Sequence, residues 1–478
     1  MDRTPQKPVV IIGAGPAGLT AGYELARRKI PFLILEKDHM VGGIARTVEY
    51  HGYRFDIGGH RFFTKVDRVM EMWQEVLKDD FLKRPRMSHV YYKKKFFAYP
   101  IKPFDVVQKL GLWESFLAGL SFIKAKVWRR AKEESFEDYI VNNFGERLYH
   151  TFFKSYTEKV WGIPCTEIKA EWAAQRIKGL SLSSLIKTAF LGNRGNDIKS
   201  LIEEFWYPRL GPGMMWERTV EIIEKSGFGK IVYNVTLDDI EWGAGRIKAV
   251  RYHDGAGVEQ HVDCDALVSS MPIPELAERL LPPAEHALLE AAKGLHFRDF
   301  LTVALVIKQK EMFPDNWIYI HEPKVQVGRI QNFKNWSPEM VKDEGMTCLG
   351  LEYFCFTSDP LWRMSDKELI ALASKELEVI GLAQSADVVD GAVVRMEKTY
   401  PVYDDSYEKA MPTIRHELAR FTNLYPVGRN GMHKYNNQDH AMLTAMLAVE
   451  NYADYATHDL WQVNVERVYH EEDKKNIS

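Results

Sequence analysis

The sequence predicts an α/β fold, a Rossmann-type domain with an inserted helical lobe and an antiparallel-sheet lobe. Three observations support it. Residues 9–13 form an apolar, β-branched run ending in glycine, which is typical of a buried parallel strand. A helical pattern over residues 17–28 and a second apolar run over residues 32–36 complete a βαβ unit. Alternating patterns from residue 301 to about residue 356 predict an antiparallel sheet that covers a pocket.

Composition excludes several classes of function. The chain has 478 residues, of which 46% are hydrophobic and 27% charged, as in a globular protein of two or three packed lobes. Lysine and arginine number 63 against 66 acidic residues, and the formal charge of -3 argues against nucleic-acid binding. Neither CxxC nor metal-ligand spacing relates the cysteines, which predicts reduced thiols and no metal site. These cysteines are Cys165, Cys264, Cys348 and Cys355.

No membrane span is expected. The most apolar stretch, residues 116–128, is interrupted by Lys124 and Lys126. Because no apolar segment of the secretory type precedes the first strand, a soluble cytoplasmic protein is expected. Aromatic residues make up 12% of the chain, which suits a large ligand pocket and a large core equally well.

The loop after the first strand has the features of a dinucleotide-binding turn. Its GxGxxG pattern over residues 13–18 follows a strand and opens a helix. The first glycine permits the tight turn, the second lets a pyrophosphate approach the backbone, and the third lets helix and strand pack closely. Glu36, which ends the second strand, is placed to accept hydrogen bonds from ribose hydroxyls. The predicted cofactor contacts here are Gly13, Gly15, Pro16, Ala17, Gly18, Glu36 and Lys37.

Two further glycine pairs identify the cofactor. Gly42-Gly43 precedes Arg46, and Gly58-Gly59 directly precedes His60. Two further glycine pairs that let a ligand approach the backbone suit a long cofactor lying extended across the domain. NAD normally leaves the domain after the first phosphate loop. The sequence therefore predicts FAD. No second GxGxxG is found for NAD(P)H, which enters at most as an external reductant. The contacts predicted here are Gly43, Ile44, Arg46, Gly58, Gly59 and His60.

Five segments are predicted along the chain. Residues 1–80, 206–294 and 401–478 form the FAD-binding domain and a tail, with residues 81–205 as the helical substrate lobe and residues 295–400 as the sheet substrate lobe.

Within these segments several local patterns predict structure. Residues 89–100 predict a hairpin with a basic tip, and Ser135 predicts a helix N-cap. Strands are predicted over residues 230–235 and 246–253, with a turn between them at residues 242–245. The tail beyond Arg467 is predicted to be disordered.

Two patterns leave their role open. Four aromatic residues at helical spacing suit a core better than a ligand box. The polar run that opens the last helix suits either an anion or flavin ring oxygen, or a simple N-cap. The aromatic residues are Tyr149, Phe152, Phe153 and Tyr156, and the remaining predicted cofactor contacts are Val235, Gly428, Arg429, Asn437 and Gln438.

Motifs outside the dinucleotide loop point to one family. They lie at residues 58–60, 99–100, 156–164, 172–176, 327–338, 400–402, 428–429 and 434–440. On these motifs the chain resembles the flavin-dependent UDP-galactopyranose mutases, most closely their eukaryotic branch. The dinucleotide loop alone is shared with amine oxidases, protoporphyrinogen oxidases and carotenoid desaturases.

The resemblance implies a non-redox reaction of reduced FAD. In these mutases flavin N5 attacks the anomeric carbon of a nucleotide sugar and expels the nucleoside diphosphate. The sugar ring opens and recloses at a different size before the diphosphate returns. The implied activity is pyranose–furanose isomerisation for polysaccharide or glycoside assembly, and the implied partner is a nucleotide-diphosphate sugar.

Site residues follow from the same motifs. Arg176 and Arg329 match the two arginines that clamp the diphosphate, with surface ion pairs as the alternative. His60 matches a histidine facing the flavin. Tyr435 and Asn437 match positions near the diphosphate, although a shortened spacing leaves the register of Tyr435 open. The remaining pocket candidates are Trp161 and Tyr400, for which core packing is equally expected, and Trp336, where the family commonly has tyrosine.

Other functions stay open. The uracil-binding part of the family is not recognisable, so neither nucleotide nor sugar is fixed, and homo-oligomerisation is open. A redox flavoenzyme of the amine oxidase, protoporphyrinogen oxidase or desaturase type is the first alternative, and it would need an apolar tunnel. A flavoprotein partner subunit that docks through residues 116–128 is the second.

Overall fold

The computed structural model describes residues 7–99, 103–170 and 204–464. Its strands in chain order are β1 (Val9–Ile12), β2 (Phe32–Leu35), β3 (Thr47–Tyr50), β4 (Tyr53–Asp56), β5 (Phe81–Pro85), β6 (Ser88–Tyr92), β7 (Lys95–Ala98), β8 (Glu204–Pro208), β9 (Gly229–Val232), β10 (Thr236–Gly243), β11 (Arg246–His253), β12 (Glu259–Asp263), β13 (Ala266–Ser269), β14 (Leu280–Leu281), β15 (Phe297–Ile307), β16 (Trp317–Ile320), β17 (Arg329–Asn332), β18 (Thr347–Cys355), β19 (Val388–Pro401) and β20 (Leu424–Pro426). The α-helices of the same residues are Pro16–Arg27, Asp67–Leu77, Pro103–Leu110, Leu112–Val127, Phe136–Phe144, Glu146–Phe152, Lys154–Trp161, Gly213–Ser226, Ile273–Glu278, His286–Lys293, Phe333–Trp336, Pro360–Arg363, Asp366–Ile380, Asp405–Leu418 and Gln438–Ala453.

A parallel five-stranded sheet with the order β20-β13-β1-β2-β9 forms the centre of the predicted Rossmann-type domain. The central strands β1 and β2 are apolar throughout because both faces of the sheet are covered, whereas the edge strand β9 contains the exposed Lys230. Val9 and Ile11 pack against the helices on one face, and Val10 and Ile12 pack against the other layer. The predicted α/β class is therefore confirmed.

The antiparallel lobe is a seven-stranded sheet with the order β19-β15-β18-β17-β16-β6-β7. Only the β16–β6 pair is parallel among these strands. The predicted hairpin is β6–β7, and it turns at Lys93 and Lys94, which both have positive φ. Residues 88–98, expected in the helical lobe, thus form the edge of this sheet.

The helical lobe runs from Pro103–Leu110 to Lys154–Trp161. The Ser135 hydroxyl accepts a hydrogen bond from the Asp138 N–H at 3.1 Å, which confirms the predicted N-cap. Tyr149 and Phe152 are buried in the core of this lobe. Among the described residues, no helix has the length and apolar character needed to cross a bilayer.

One strand prediction was incomplete. The expected strand over residues 230–235 corresponds to β9, and residues 246–253 are β11, but β10 (Thr236–Gly243) was not predicted. The adjacent acids Asp238 and Asp239 interrupt its alternation, and a register shift lies between Leu237 and Asp239. The tail beyond Arg467 lies outside the described residues. All four cysteines are buried free thiols.

Candidate functional site

The first glycine loop is built by close backbone approaches. Gly13 has φ +93°, a conformation that L side chains rarely adopt. A Cβ on Gly18 would overlap the carbonyl oxygen of Gly13, so only glycine lets the helix start against this turn. A Cβ on Gly15 would meet nothing nearer than the Cα of Gly43, at 3.8 Å. The two glycine segments therefore face each other with their backbones accessible, as a bound pyrophosphate requires.

Glu36 fixes the acidic side of this loop. Its side chain is buried and accepts the N–H of Ala14 at 2.6 Å and of Asp38 at 2.9 Å. Its carbonyl accepts the N–H of Val235 at 2.9 Å, which holds Val235 beside it. Lys37, predicted as a cofactor contact, is exposed. The carboxylate is therefore held in place at the end of β2, where a ribose is expected.

Arg46 supports the Gly42-Gly43 pair from within the same loop. Its Nε donates to the carbonyl of Gly43 at 2.7 Å, and its Nη1 pairs with Asp38 at 2.6 Å. Burial raises the pKa of Asp38, but Arg46 and His39 together outweigh this and the pKa is lowered. In this structure Arg46 shapes the loop through its own hydrogen bonds.

The C-terminal segment packs against the first glycine loop. Gly428 has φ +77°, and a Cβ on it would lie 3.0 Å from the Cβ of Ala17. Asn437 precedes the last helix, and its N–H donates to His440 Nδ1 at 3.3 Å. Within the described residues, the buried Oε1 of Gln438 has no hydrogen-bond partner. An unsatisfied acceptor beside a glycine cradle fits the polar edge of a bound dinucleotide flavin.

The loop that contains Gly58 and Gly59 contacts the antiparallel sheet. Gly58 has φ +92°, and a Cβ on it would lie 3.8 Å from Arg329 Nη2. His60 Nε2–H donates to the carbonyl of Ile57 at 2.7 Å. Burial, followed by the charges of Arg429 and Arg329, lowers the pKa of His60 to about 4. The imidazole is therefore neutral at pH 7.

Arg329 is a largely buried cation, with 19% of its side chain exposed, and a carboxylate on the next strand holds it. Strands β17 and β18 place it directly opposite Glu352, and its Nε donates to Glu352 Oε2 at 2.5 Å. Gln331 donates to the other oxygen at 2.7 Å. Burial alone would lower the pKa of Arg329, but Glu352 and then Tyr156 raise it well above its ordinary value. The guanidinium is thus permanently charged and fixed in orientation.

Tyrosine rings lie close to this cation, and Tyr156, Tyr400 and Tyr319 all contribute to its pKa shift. We call Arg329, His60, Arg429 and the side chains packed around them the cleft. Tyr156 lies parallel to His321 with ring centroids 4.9 Å apart, and Tyr319 meets Tyr156 edge-on at 5.5 Å. Tyr400 and Tyr435 lie nearly parallel at 5.6 Å. The second cation of the cleft, Arg429, has its guanidinium carbon 4.8 Å from the centre of the Tyr435 ring and 5.4 Å from that of Tyr400.

The structure brings five of the predicted residues together, and two others pack elsewhere. His60, Arg329, Tyr400, Tyr435 and Arg429 converge as described above. Trp161 packs on the core of the helical lobe. Asn437 is exposed at the start of the last helix, next to Asn436, whose carbonyl accepts a hydrogen bond from Arg429 Nε at 3.0 Å. Trp336 is 1% exposed, stacks on Trp317, and donates its indole N–H to the Asn316 carbonyl at 2.8 Å. Its position does not support a substrate contact. Arg176 lies outside the described residues.

Sequence reasoning missed five residues of the cleft: Tyr156, Tyr319, His321, Gln331 and Glu352. A signal existed for three of them. Tyr156 and Gln331 lie inside motifs used for the resemblance, although the helical spacing of Tyr156 favoured the core. Glu352 is the only charged residue of β18, an otherwise apolar strand, and a buried charge needs a partner.

Comparison with protein families gives one match over most of the chain. A model described as flavin containing amine oxidoreductase matches residues 16–416. Curated relatives match shorter stretches. A 1-hydroxycarotenoid 3,4-desaturase of Flavobacterium sp. (strain P99-3) is 30% identical over 90 residues, 18% of each chain. A phytoene desaturase of Phycomyces blakesleeanus is 22% identical over 311 residues, 58% of this chain and 50% of the relative. These matches span half or less of each relative.

Solved structures share the fold over almost the full length. A crystal structure of reduced UDP-galactopyranose mutase superposes with a TM-score of 0.80 at 21% identity, covering 97% of this chain and all of the other. A putrescine oxidase bound to putrescine superposes with a TM-score of 0.60 at 14% identity, covering 95% of this chain and all of the other. At these identities the likeness establishes the fold alone.

Proposed function

This chain belongs to the flavin containing amine oxidoreductase family, which implies FAD as its cofactor, and from that premise we propose that it is a nucleotide-sugar mutase interconverting pyranose and furanose forms. One observation carries the proposal. A permanently charged guanidinium, Arg329, is fixed by Glu352 beside the loop of His60, where the flavin and substrate are expected to meet.

A fixed buried cation suits an anionic substrate. Removing Arg329 from water is costly, and its carboxylate partner only balances its charge. A diphosphate would add a second anion and accept hydrogen bonds from the guanidinium. An amine substrate would be repelled by Arg329 and Arg429, and a hydrocarbon would leave both arginines without a ligand. The sequence motif adds Arg176 as a second clamp residue to this proposal.

Different residues of the chain would bind the cofactor and the substrate. The glycine loops over residues 13–18 and 42–43, with Glu36 and Gln438, would hold FAD. When bound and reduced, the flavin supplies the nucleophile that displaces the nucleoside diphosphate from the sugar. Arg329 would hold the departing diphosphate close enough to return. The tyrosines beside it exclude water that would otherwise hydrolyse the activated sugar.

The test is an isomerisation assay with controlled flavin redox state. The purified holoprotein is reduced anaerobically with dithionite and mixed with UDP-galactopyranose and then with a panel of other nucleotide sugars. Anion-exchange chromatography measures the furanose product. We expect product with reduced protein, none with oxidised protein, and no net flavin oxidation. Absence of product from every sugar would contradict the proposal.

The clamp is tested separately by Arg329→Ala combined with Glu352→Gln, which avoids leaving an unpaired carboxylate. We expect nucleotide-sugar binding to weaken by roughly 2–5 kcal/mol, because a buried charge-assisted contact is lost. Flavin content, read from the visible absorbance, should not change. The single variant Glu352→Gln is the control. Unaltered affinity in the double variant would remove Arg329 from the proposed site.

An oxidoreductase is the second candidate, favoured by the matched desaturases. It predicts that an unsaturated hydrocarbon or an amine changes the redox state of the flavin. The visible absorbance of the flavin measures this change. That outcome, together with no isomerisation, would replace the mutase proposal. Reduction by an external NAD(P)H donor belongs to the mutase proposal and is tested by the same absorbance.

A further inference from the structure

The helix Leu112–Val127 presents an apolar stripe to solvent. Its members are spaced three and four residues apart, so they share one side of the helix. Their exposed fractions run from 48% for Leu120 to 69% for Trp113. Ala118 and Ala125, on the opposite side, are buried against the lobe. The stripe consists of Trp113, Phe116, Leu120, Ile123 and Val127.

The stripe continues beyond the helix. Leu112 at its start and Trp128 just after its end are both largely exposed, as is Phe104 on the preceding helix. We call these three residues and the stripe the outer helix face. Exposed apolar residues elsewhere, such as Val258 and Val389, are isolated in the sequence and lie on other elements. A group of large apolar side chains on one helix indicates an interaction surface.

The charges beside the outer helix face are positive. Lys124 and Lys126 are exposed on its C-terminal half, and among the described residues neither lies within ion-pair distance of a carboxylate. Lys126 Nζ lies 5.5 Å from the centre of the Phe122 ring. The acid of the same helix, Glu114, is already paired with Arg147 at 2.7 Å. An incoming partner therefore meets apolar side chains and two exposed lysines, of which Lys126 acts on Glu133 only at a distance.

We propose that the outer helix face binds the surface of an anionic lipid bilayer. The helix has 16 residues and would lie in the plane of the membrane, with Phe116, Leu120 and Ile123 among the acyl chains. Trp113 and Trp128 mark its two ends, and tryptophan prefers the headgroup region. Lys124 and Lys126 would meet lipid phosphates.

A second copy of the chain fits this face less well. Paired outer helix faces would set the unpaired lysines of each copy against each other or against Glu114, which already has a partner. An anionic surface satisfies both lysines at once. The proposal does not depend on the reaction that the cleft catalyses, so either can fail alone.

The test is vesicle flotation of the FAD-bound full chain. We expect it to float with vesicles of phosphatidylcholine and phosphatidylglycerol, and much less with phosphatidylcholine alone. Lys124→Gln with Lys126→Gln should weaken partitioning roughly 30-fold. Phe116→Ser with Leu120→Ser and Ile123→Ser should weaken it by at least about 100-fold. Val258→Ser with Val389→Ser is the matched control and should bind as the parent does. Flavin content verifies that each variant is folded.

Three results would overturn the proposal. The first is no flotation with the anionic vesicles, and the second is undiminished flotation of the Phe116, Leu120 and Ile123 variant. The third comes from light scattering after size exclusion: a dimer that this variant converts to a monomer, with no vesicle binding by the parent chain. That result would assign the outer helix face to a second copy.

Discussion

The candidate site has two ends: backbone atoms shape one of them, and side chains from distant segments shape the other. The glycine end, formed by residues 13–18 and 42–43, depends on where a Cβ is absent. The arginine end, centred on Arg329 and Glu352, depends on a charge and its partner meeting across two strands. The two ends therefore differ in what a single substitution can damage.

The difference concerns specificity as well as stability. Amide groups and a helix N-terminus bind any suitably placed phosphate, so the glycine end suits a cofactor shared by many enzymes. A buried cation costs desolvation energy and is retained where it selects an anionic ligand or a single arrangement. This contrast places the distinctive chemistry of the chain at the arginine end.

The largest effect is expected from Glu352→Ala. The substitution leaves Arg329 largely buried without its carboxylate, which should lower the free energy of unfolding by about 3–5 kcal/mol. Urea denaturation followed by tryptophan fluorescence measures it. The double variant Arg329→Met with Glu352→Leu is the control, because two apolar residues of similar volume remove both charges. We expect it to recover most of the loss. A double variant as unstable as the single one would show that packing, and not the charge pair, stabilises the arginine end.

At the glycine end, Gly18→Ala should have the next largest effect. The added methyl overlaps the Gly13 carbonyl oxygen, so helix and strand must separate. We expect a loss of about 1–3 kcal/mol in the free energy of unfolding and a clear fall in bound FAD. Gly119→Ala is the matched control, since a Cβ there meets nothing within 4 Å. Normal flavin content in Gly18→Ala would mean that the loop tolerates the methyl by moving.

Sequence predicted the glycine end well because its signals are local. The run over residues 9–13, the glycine spacing and Glu36 all lie within one βαβ unit, and each has a direct steric or hydrogen-bonding reason. The capping box at Ser135 was predictable in the same way, since a hydroxyl and an acid three residues apart suffice. Such short-range rules do not depend on how distant strands pair.

The arginine end could be predicted only in part. Arg329 came from a motif, but its pairing with Glu352 depends on the β17–β18 register, which no local pattern specifies. The place of Trp336 depends on distant strands in the same way. A tryptophan in a loop motif suits a pocket wall equally well, until the sheet that buries it is known. Tyr156 shares helical spacing with core aromatics, and its place in the cleft is given by contacts with Tyr319 and His321, which lie far away in the sequence.

A change in pH should also act at the arginine end. His321 is buried against Tyr156, and burial, followed by the charge of Lys159, lowers its pKa to about 3. The unfolded chain takes up this proton near pH 6.5, so stability is lost as pH falls below that value. His321→Phe keeps the ring contact without the titration. Its free energy of unfolding should fall by about 2 kcal/mol less than that of the parent between pH 7 and pH 5. Equal losses would show that His321 does not contribute to acid sensitivity.

The smallest effect is expected from Glu36→Gln, and its value lies in comparing two states of the protein. Glutamine can still accept the Ala14 N–H but loses the charge that strengthens this bond and the one from Asp38. For the flavin-free protein we expect a loss of about 1 kcal/mol. If the carboxylate also receives ribose hydroxyls, the flavin-bound protein should lose more, because a second charge-assisted contact is weakened. Thermal unfolding of both forms measures the difference. Equal losses would mean that Glu36 only shapes the loop, and the glycine end would then bind its cofactor through backbone atoms alone.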